Sequence, residues 1–128
     1  MTKHIHLVFS DPPAHVSDAE YDVWYDAHVQ EILSVDGWVA ATRYRVEGVV
    51  DPERTGIYRY LSLYELDVPP AVAIANLEAA GLGSGDSYVE LKDAADGSDP
   101  LPLPDWFSEI RFGSMNGTAR GDRITRRA

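Results

Sequence analysis

Ser17-Asp18-Ala19-Glu20-Tyr21-Asp22-Val23-Trp24-Tyr25-Asp26-Ala27-His28-Val29-Gln30-Glu31-Ile32-Leu33-Ser34-Val35-Asp36-Gly37-Trp38 is the stretch from which the fold is read. Ser17 followed by Glu20 has the spacing of a capping box, in which the first side chain accepts from the backbone of the second. Asp18 and Glu20 suit the positive end of a helix dipole. Tyr21, Trp24, Tyr25, His28, Val29, Ile32 and Leu33 then recur at three- and four-residue steps, which predicts an amphipathic helix with His28 inside its apolar stripe. Asp22, Asp26, Gln30 and Glu31 fall largely on the wet side. Asp36-Gly37 ends the helix, with Gly37 free to take a left-handed conformation.

On either side the periodicity changes to two. Residues 3–10, Lys-His-Ile-His-Leu-Val-Phe-Ser, alternate partly and stop at Asp11-Pro12-Pro13, which predicts a first strand. Ile5, Leu7 and Phe9 share one face of it; His4, His6 and Val8 share the other. Trp38 to Glu47 predicts a second strand, Gly48 to Gly56 a turn or short loop, and Ile57 to Leu66 a third strand. Pro70 to about Ala80 predicts a short helix with Pro at its first turn, stopped by Gly81 to Gly85. Trp106 to Met115 predicts the last strand. Strand, helix, strand, strand, helix, strand is the split βαβ order of a ferredoxin-like α+β fold, an antiparallel sheet with both helices on one face. The expected division is a domain over residues 1–115, with a loop insertion at about 86–105, and an Arg-rich tail over 116–128. The loop reads either as a lid or dimer arm or as a plain surface excursion.

Two helices cover one face of such a sheet. On strand two, Trp38, Ala40, Thr42, Tyr44 and Val46 alternate with Val39, Ala41, Arg43 and Arg45; on strand three, Tyr58, Tyr60, Ser62 and Tyr64 alternate with Arg59, Leu61, Leu63 and Glu65. Both faces carry more apolar area than a half-wet sheet should. A second copy of the chain is the simplest cover, since closed two-fold dimers dominate among oligomers. A homodimer enclosing a small apolar pocket is therefore expected.

The 128 residues are 45% hydrophobic and 25% charged, an ordinary globular balance, and contain no Cys. Disulfides, thiolate nucleophiles and Cys-ligated metals are excluded. The net charge of −10 argues against nucleic acid as a partner. No apolar run reaches the ~20 residues needed to cross a bilayer, and no leader pattern opens the chain, so no membrane partner and a cytoplasmic location are expected. Charge is uneven: Arg120, Arg123, Arg126 and Arg127 crowd the last nine residues against Asp122 alone. That reads either as a solvated tail or as one that docks on the acidic body of a partner subunit. Gly81-Leu82-Gly83-Ser84-Gly85 follows a helix instead of preceding one, so it is no phosphate loop. No nucleophile elbow appears, and only His4 and His6 have even weak metal-ligand spacing.

Tyr25-Asp26-Ala27-His28, followed by Glu31 to Trp38, resembles the first helix and its exit in dimeric α+β barrel proteins, and Trp38 to Arg45 resembles the strand that follows there. The likeness is to EthD-type proteins and to the small isomerases and cyclases of aromatic catabolism and polyketide assembly. It covers residues 3–66 well and the last strand loosely; Asp36 stands where Pro is common in that group. The resemblance implies a barrel built from two sheets, and a pocket lined by the histidine at the position of His28. One scaffold of this kind hosts many reactions, so it specifies fold better than chemistry.

His28 reads in three ways: a core imidazole satisfied by its neighbours, a general acid/base in a pocket between helix and sheet, or a haem ligand. Imidazole suits proton transfer because it titrates near neutrality. His6, mid-strand, is the candidate partner. Trp24, Tyr25, Tyr44, Tyr58, Tyr60 and Tyr64 are candidates to line a cavity for a flat or cyclic ligand, unless they are simply core and interface. Arg43, Arg45 and Arg59 are candidates for a carboxylate or enolate, unless they are paired among the 21 acidic residues. The expected activity is a cofactor-independent lyase, isomerase or cyclase acting on a small aromatic or lactone-like molecule, with no metal. The alternatives are a cofactor-free or haem-dependent monooxygenase, and a non-catalytic small-molecule binding or stress-related protein.

Overall fold

The computed structural model describes residues 3–47, 58–82 and 104–127. Its elements are β1 (His4–Asp11), α1 (Asp18–Ile32), β2 (Trp38–Arg45), β3 (Tyr60–Leu66), α2 (Pro70–Ala79), a 3₁₀ turn (Phe107–Glu109) and β4 (Arg111–Thr118). The four strands form one antiparallel sheet in the order β2-β3-β1-β4. This is the ferredoxin-like α+β arrangement expected: each helix crosses between two strands that flank a third. The expected loop at 48–56, the start of strand three at Ile57, and most of the expected insertion at 86–105 lie outside the described residues.

Local chemistry explains most boundaries. The Glu20 N–H donates to Ser17 Oγ at 3.1 Å, closing the N-terminus of α1. The second half of a capping box does not form, because the Glu20 carboxylate accepts from Trp106 Nε1 at 3.2 Å. The helix ends at Ile32, with Leu33 as its cap, four residues short of the expected stop. Ser34 and Val35 then turn the chain through bonds to Glu31 O and Ile32 O. Gly37 has φ +95°, and a Cβ there would meet Val68 Cγ2 at 2.6 Å. Only glycine has both the left-handed freedom and the room. Asn76 Nδ2 donates to Asp36 O at 2.9 Å and Trp38 Nε1 to Ala73 O at 3.0 Å, tying this turn to α2.

Three expectations need correcting. First, pairing shifts between Trp38 and Ala40, where an extra residue breaks the alternation of β2. Trp38 therefore faces the helices together with Ala41, Arg43 and Arg45, while Ala40, Thr42 and Tyr44 take the other face. Secondly, Tyr58 does not share the face of Tyr60. Its ring lies over Gly113 and 5.9 Å from that of Phe9, on the helix-free side. Thirdly, β4 begins at Arg111 and runs to Thr118, so Asn116 to Thr118 belong to the sheet and not to a tail.

The segment expected to open that strand instead straps α1. Trp106 is buried, 5.6 Å from the Tyr21 ring and 5.7 Å from Trp24. The core lies between helices and sheet: Tyr21, Trp24, Tyr25, Val29 and Ile32 of α1 meet Trp38, Tyr60, Tyr64 and Leu66 of the sheet, with Ala73 and Leu77 of α2. Each buried aromatic contributes roughly 4–6 kcal/mol of gross transfer free energy. The opposite sheet face carries Ile5, Leu7 and Phe9 of β1, Leu61 and Leu63 of β3, and Met115 of β4, all incompletely buried. No helix among the described residues is long and apolar enough to cross a membrane.

Candidate functional site

One face of α1 and the strands beneath it form a polar seam inside the aromatic core. Ser10 on β1 pairs in register with Tyr60, and Val8 with Ser62. Ser10 and Ser62 are thus diagonal neighbours on adjacent strands, both fully buried under α1. Tyr21, Trp24, Tyr25 and His28 descend on them at helical spacing. Ser10 Oγ, Ser62 Oγ, Tyr21 Oη, Trp24 Nε1 and Arg43 Nε are buried without a hydrogen-bond partner. The Tyr21 hydroxyl interacts with that of Ser10, and the Ser62 hydroxyl with those of Tyr25 and Tyr64. Buried polar groups are nearly always paired, because leaving one unsatisfied costs about 1–3 kcal/mol. The buried layer under α1 is therefore rich in hydroxyl and N–H groups held by weak or long contacts.

His28 bounds this seam. Its ring stacks on Trp24 at 5.1 Å and stands edge-on to Tyr25 at 5.5 Å. Burial pushes its pKa down to about 4, so the imidazole is neutral at physiological pH. Tyr25 and Tyr64 sit next in line, their hydroxyls interacting, and burial drives both phenol pKa values upward. Tyr21 is raised for the same reason. The Tyr64 ring is 6.5 Å from that of His6, which also meets Trp38 edge-on at 5.4 Å. His6 Nδ1 lies 2.7 Å from Asn116 Oδ1. Since an amide oxygen only accepts, His6 Nδ1 donates this bond. The two histidines are thus joined in series through Tyr25 and Tyr64.

The other expected residues stand elsewhere. A cleft of about 340 Å³ opens between α1 and β2, lined by Asp18, Asp22, Asp26, Arg43, Tyr44, Arg45 and Tyr60. Arg43 Nη1 donates to Asp22 at 2.9 Å and to Asp26 at 3.1 Å, with its guanidinium 4.6 Å from the Tyr25 ring centroid. Burial opposes the charge on Arg43, but the two carboxylates more than offset it and raise its pKa. Arg45 Nε donates to Asp18 at 3.3 Å, and the Tyr60 hydroxyl donates to the same oxygen. Burial, then the Asp18 carboxylate, pushes Tyr60 up to about 12. The Tyr60 hydroxyl, followed by Arg45, holds Asp18 below the usual carboxylate range.

Trp24, Tyr25, Tyr64, His6 and His28 therefore share the seam, whereas Tyr60 and Arg45 belong to the cleft. Tyr44 sits on the helix-free face and touches only the cleft rim. Arg43 and Tyr60 stand where the two spaces adjoin. Sequence reasoning missed Ser10, Ser62, Tyr21 and Asn116. The signal for the serines was available: small hydroxyls on the inward face of two strands in a row of aromatics. Asn116 was hidden by the misplaced end of β4.

No family model matches the chain, and no curated protein matches it. Among solved structures, the Arabidopsis thaliana protein At3g17210 superposes with a TM-score of 0.60 at 7% identity, over 94% of this chain and 99% of that one. A candidate monooxygenase from Shewanella loihica PV-4 aligns with a TM-score of 0.40 at 14% identity over 99% of both chains, a likeness too loose to argue from. At such identities the first similarity establishes the fold alone: a small ferredoxin-like α+β protein.

Proposed function

We propose that this protein is a cofactor-independent proton-transfer enzyme, a lyase, isomerase or cyclase of the dimeric α+β barrel type, acting on a small aromatic or lactone-like carbonyl compound. The observation that supports this is the buried layer of tyrosine and serine hydroxyls packed beside the imidazole of His28. Neutral His28 can accept a proton, and the buried phenols, held protonated, are hydrogen-bond donors. Because a pKa of about 4 makes the imidazole a weak base, the phenol contacts to the substrate carbonyl must acidify the proton it takes. His28 removes a proton from the carbon next to the substrate carbonyl. The electron pair moves onto the carbonyl oxygen, and the Tyr21, Tyr25 or Tyr64 hydroxyl stabilises the resulting enolate. His28 then returns the proton to another carbon, or to a leaving group. His6, oriented by Asn116, is the second proton-handling group. The cleft at Arg43 and Tyr60 is the way in. Trp24 supplies the flat wall against which a ring is held in one pose.

The proposal includes pairing of two copies through the helix-free sheet face, where Ile5, Leu7, Phe9, Leu61, Leu63 and Met115 form an apolar surface of the kind that soluble monomers rarely leave bare. A monomer in sedimentation at micromolar concentration would remove this part.

The chemistry is tested by deuterium incorporation next to the carbonyl of acetophenone and of dihydrocoumarin in D₂O. Catalysed exchange that is lost in His28→Ala, with probe binding retained, supports the assignment. Unchanged exchange in His28→Ala contradicts it. Binding without any exchange in the parent protein favours a carrier over an enzyme.

A further inference from the structure

We infer that the segment after β4, residues 119–127, is an arm that docks on the acidic surface of a second copy of this chain. It rests on the pairing proposed above. The Ala119 N–H donates to Lys3 O at 2.7 Å, which fixes where the arm leaves the sheet, at the edge formed by β4 against β1. From Thr118 onward every described residue is exposed, and Ile124 is 95% exposed. Arg120, Arg123, Arg126 and Arg127, all exposed beyond the sheet edge, are placed to meet carboxylates of another chain.

Charge selects the partner. Arg120, Arg123, Arg126 and Arg127 account for four of the chain's 11 basic residues, yet only one of its 21 acidic residues, Asp122, lies among them. The rest of the chain is therefore even more acidic than the net −10 suggests. An acidic body repels nucleic acid and anionic lipid, and attracts the arm of another copy. The arm also leaves β4 beside Met115, which is 56% exposed on the helix-free face where the second copy sits.

The test is sedimentation equilibrium on the full chain, on a chain ending at Ala119, and on a variant with Arg120, Arg123, Arg126 and Arg127 all changed to Glu. Each is run at about 50 mM and about 500 mM salt, which changes the screening length severalfold. The full chain should dimerise, and both altered chains should dissociate with a Kd raised about tenfold at low salt, the gap narrowing at high salt. A variant with the four arginines changed to Lys should keep most of the affinity. Near-ultraviolet circular dichroism must match across the set, so that weaker pairing is not unfolding. Equal Kd values in all chains overturn the arm and leave the sheet-face dimer standing. A full chain that is monomeric overturns both. Binding of the full chain, but not the shortened one, to RNA or to phosphatidylserine vesicles, without an effect on self-association, assigns the arm to a polyanion and overturns the proposal.

Discussion

The His28 and Trp24 rings lie nearly parallel, 9° apart with centroids 5.1 Å apart, and Tyr25 closes the imidazole from its edge. This packing shields the imidazole from water, and it is the loss of water that disfavours the charged form.

A pH dependence of stability follows. The folded pKa of about 4 lies below the ~6.5 of an unfolded imidazole. Between those values the unfolded chain binds the extra proton, so stability is full above about pH 6.5 and falls as pH drops towards 4. The loss attributable to His28 is up to roughly 3 kcal/mol. Urea titrations of the parent and of His28→Phe between these pH values should show the slope in the parent and a flatter one in the variant.

Gly37 is the position least tolerant of a methyl group. Gly37→Ala must place a Cβ 2.6 Å from Val68 Cγ2 at a φ of +95°. A cost of about 2–3 kcal/mol is expected from the two effects together. Thermal unfolding checks it: a Tm within a degree of the parent would show that the turn reshapes freely.

Trp106 straps α1 from a segment with little regular structure. Trp106→Ala removes a buried ring against Tyr21 and Trp24 and the bond to Glu20, with an expected loss of about 3–5 kcal/mol. Glu20→Gln keeps an acceptor for the indole and should cost well under half as much, by chemical denaturation.

The α1–β2 ion pairs divide unequally. Asp26 is 71% exposed, so Asp26→Asn should change stability by no more than about 0.5 kcal/mol, an effect that salt removes. Arg43 is only 15% exposed, bridges two carboxylates and lies over Tyr25. Arg43→Lys should cost about 1–2 kcal/mol, because an ammonium cannot make the same fork or stack. Equal effects of the two substitutions would refute this division.

The order of elements was legible because each announced itself locally: the Ser17 cap, the three-and-four spacing from Tyr21, the proline stops and Gly37. The faces of β2 were not, since one extra residue near Val39 reverses the alternation and leaves no mark in composition. The strap at Trp106 reads as strand in the sequence because an aromatic followed by alternating residues looks alike in both. His28, Trp24 and Tyr25 could be placed together because one helix carries them. The cleft at Asp18, Arg43 and Tyr60, and the seam at Ser10 and Ser62, arise from strands far apart in sequence. No local pattern records such a meeting.

Whether the seam under α1 receives a small oxygen-bearing molecule is tested by a high-resolution crystal structure of the protein soaked with dihydrocoumarin. Ligand density spanning the seam, with oxygen atoms within hydrogen-bond distance of two or more of Ser10, Tyr21, Ser62 and Trp24 and the ring beside His28, is the predicted result. A seam closed to the probe, with those same groups bonded to one another or to backbone carbonyls, would contradict it.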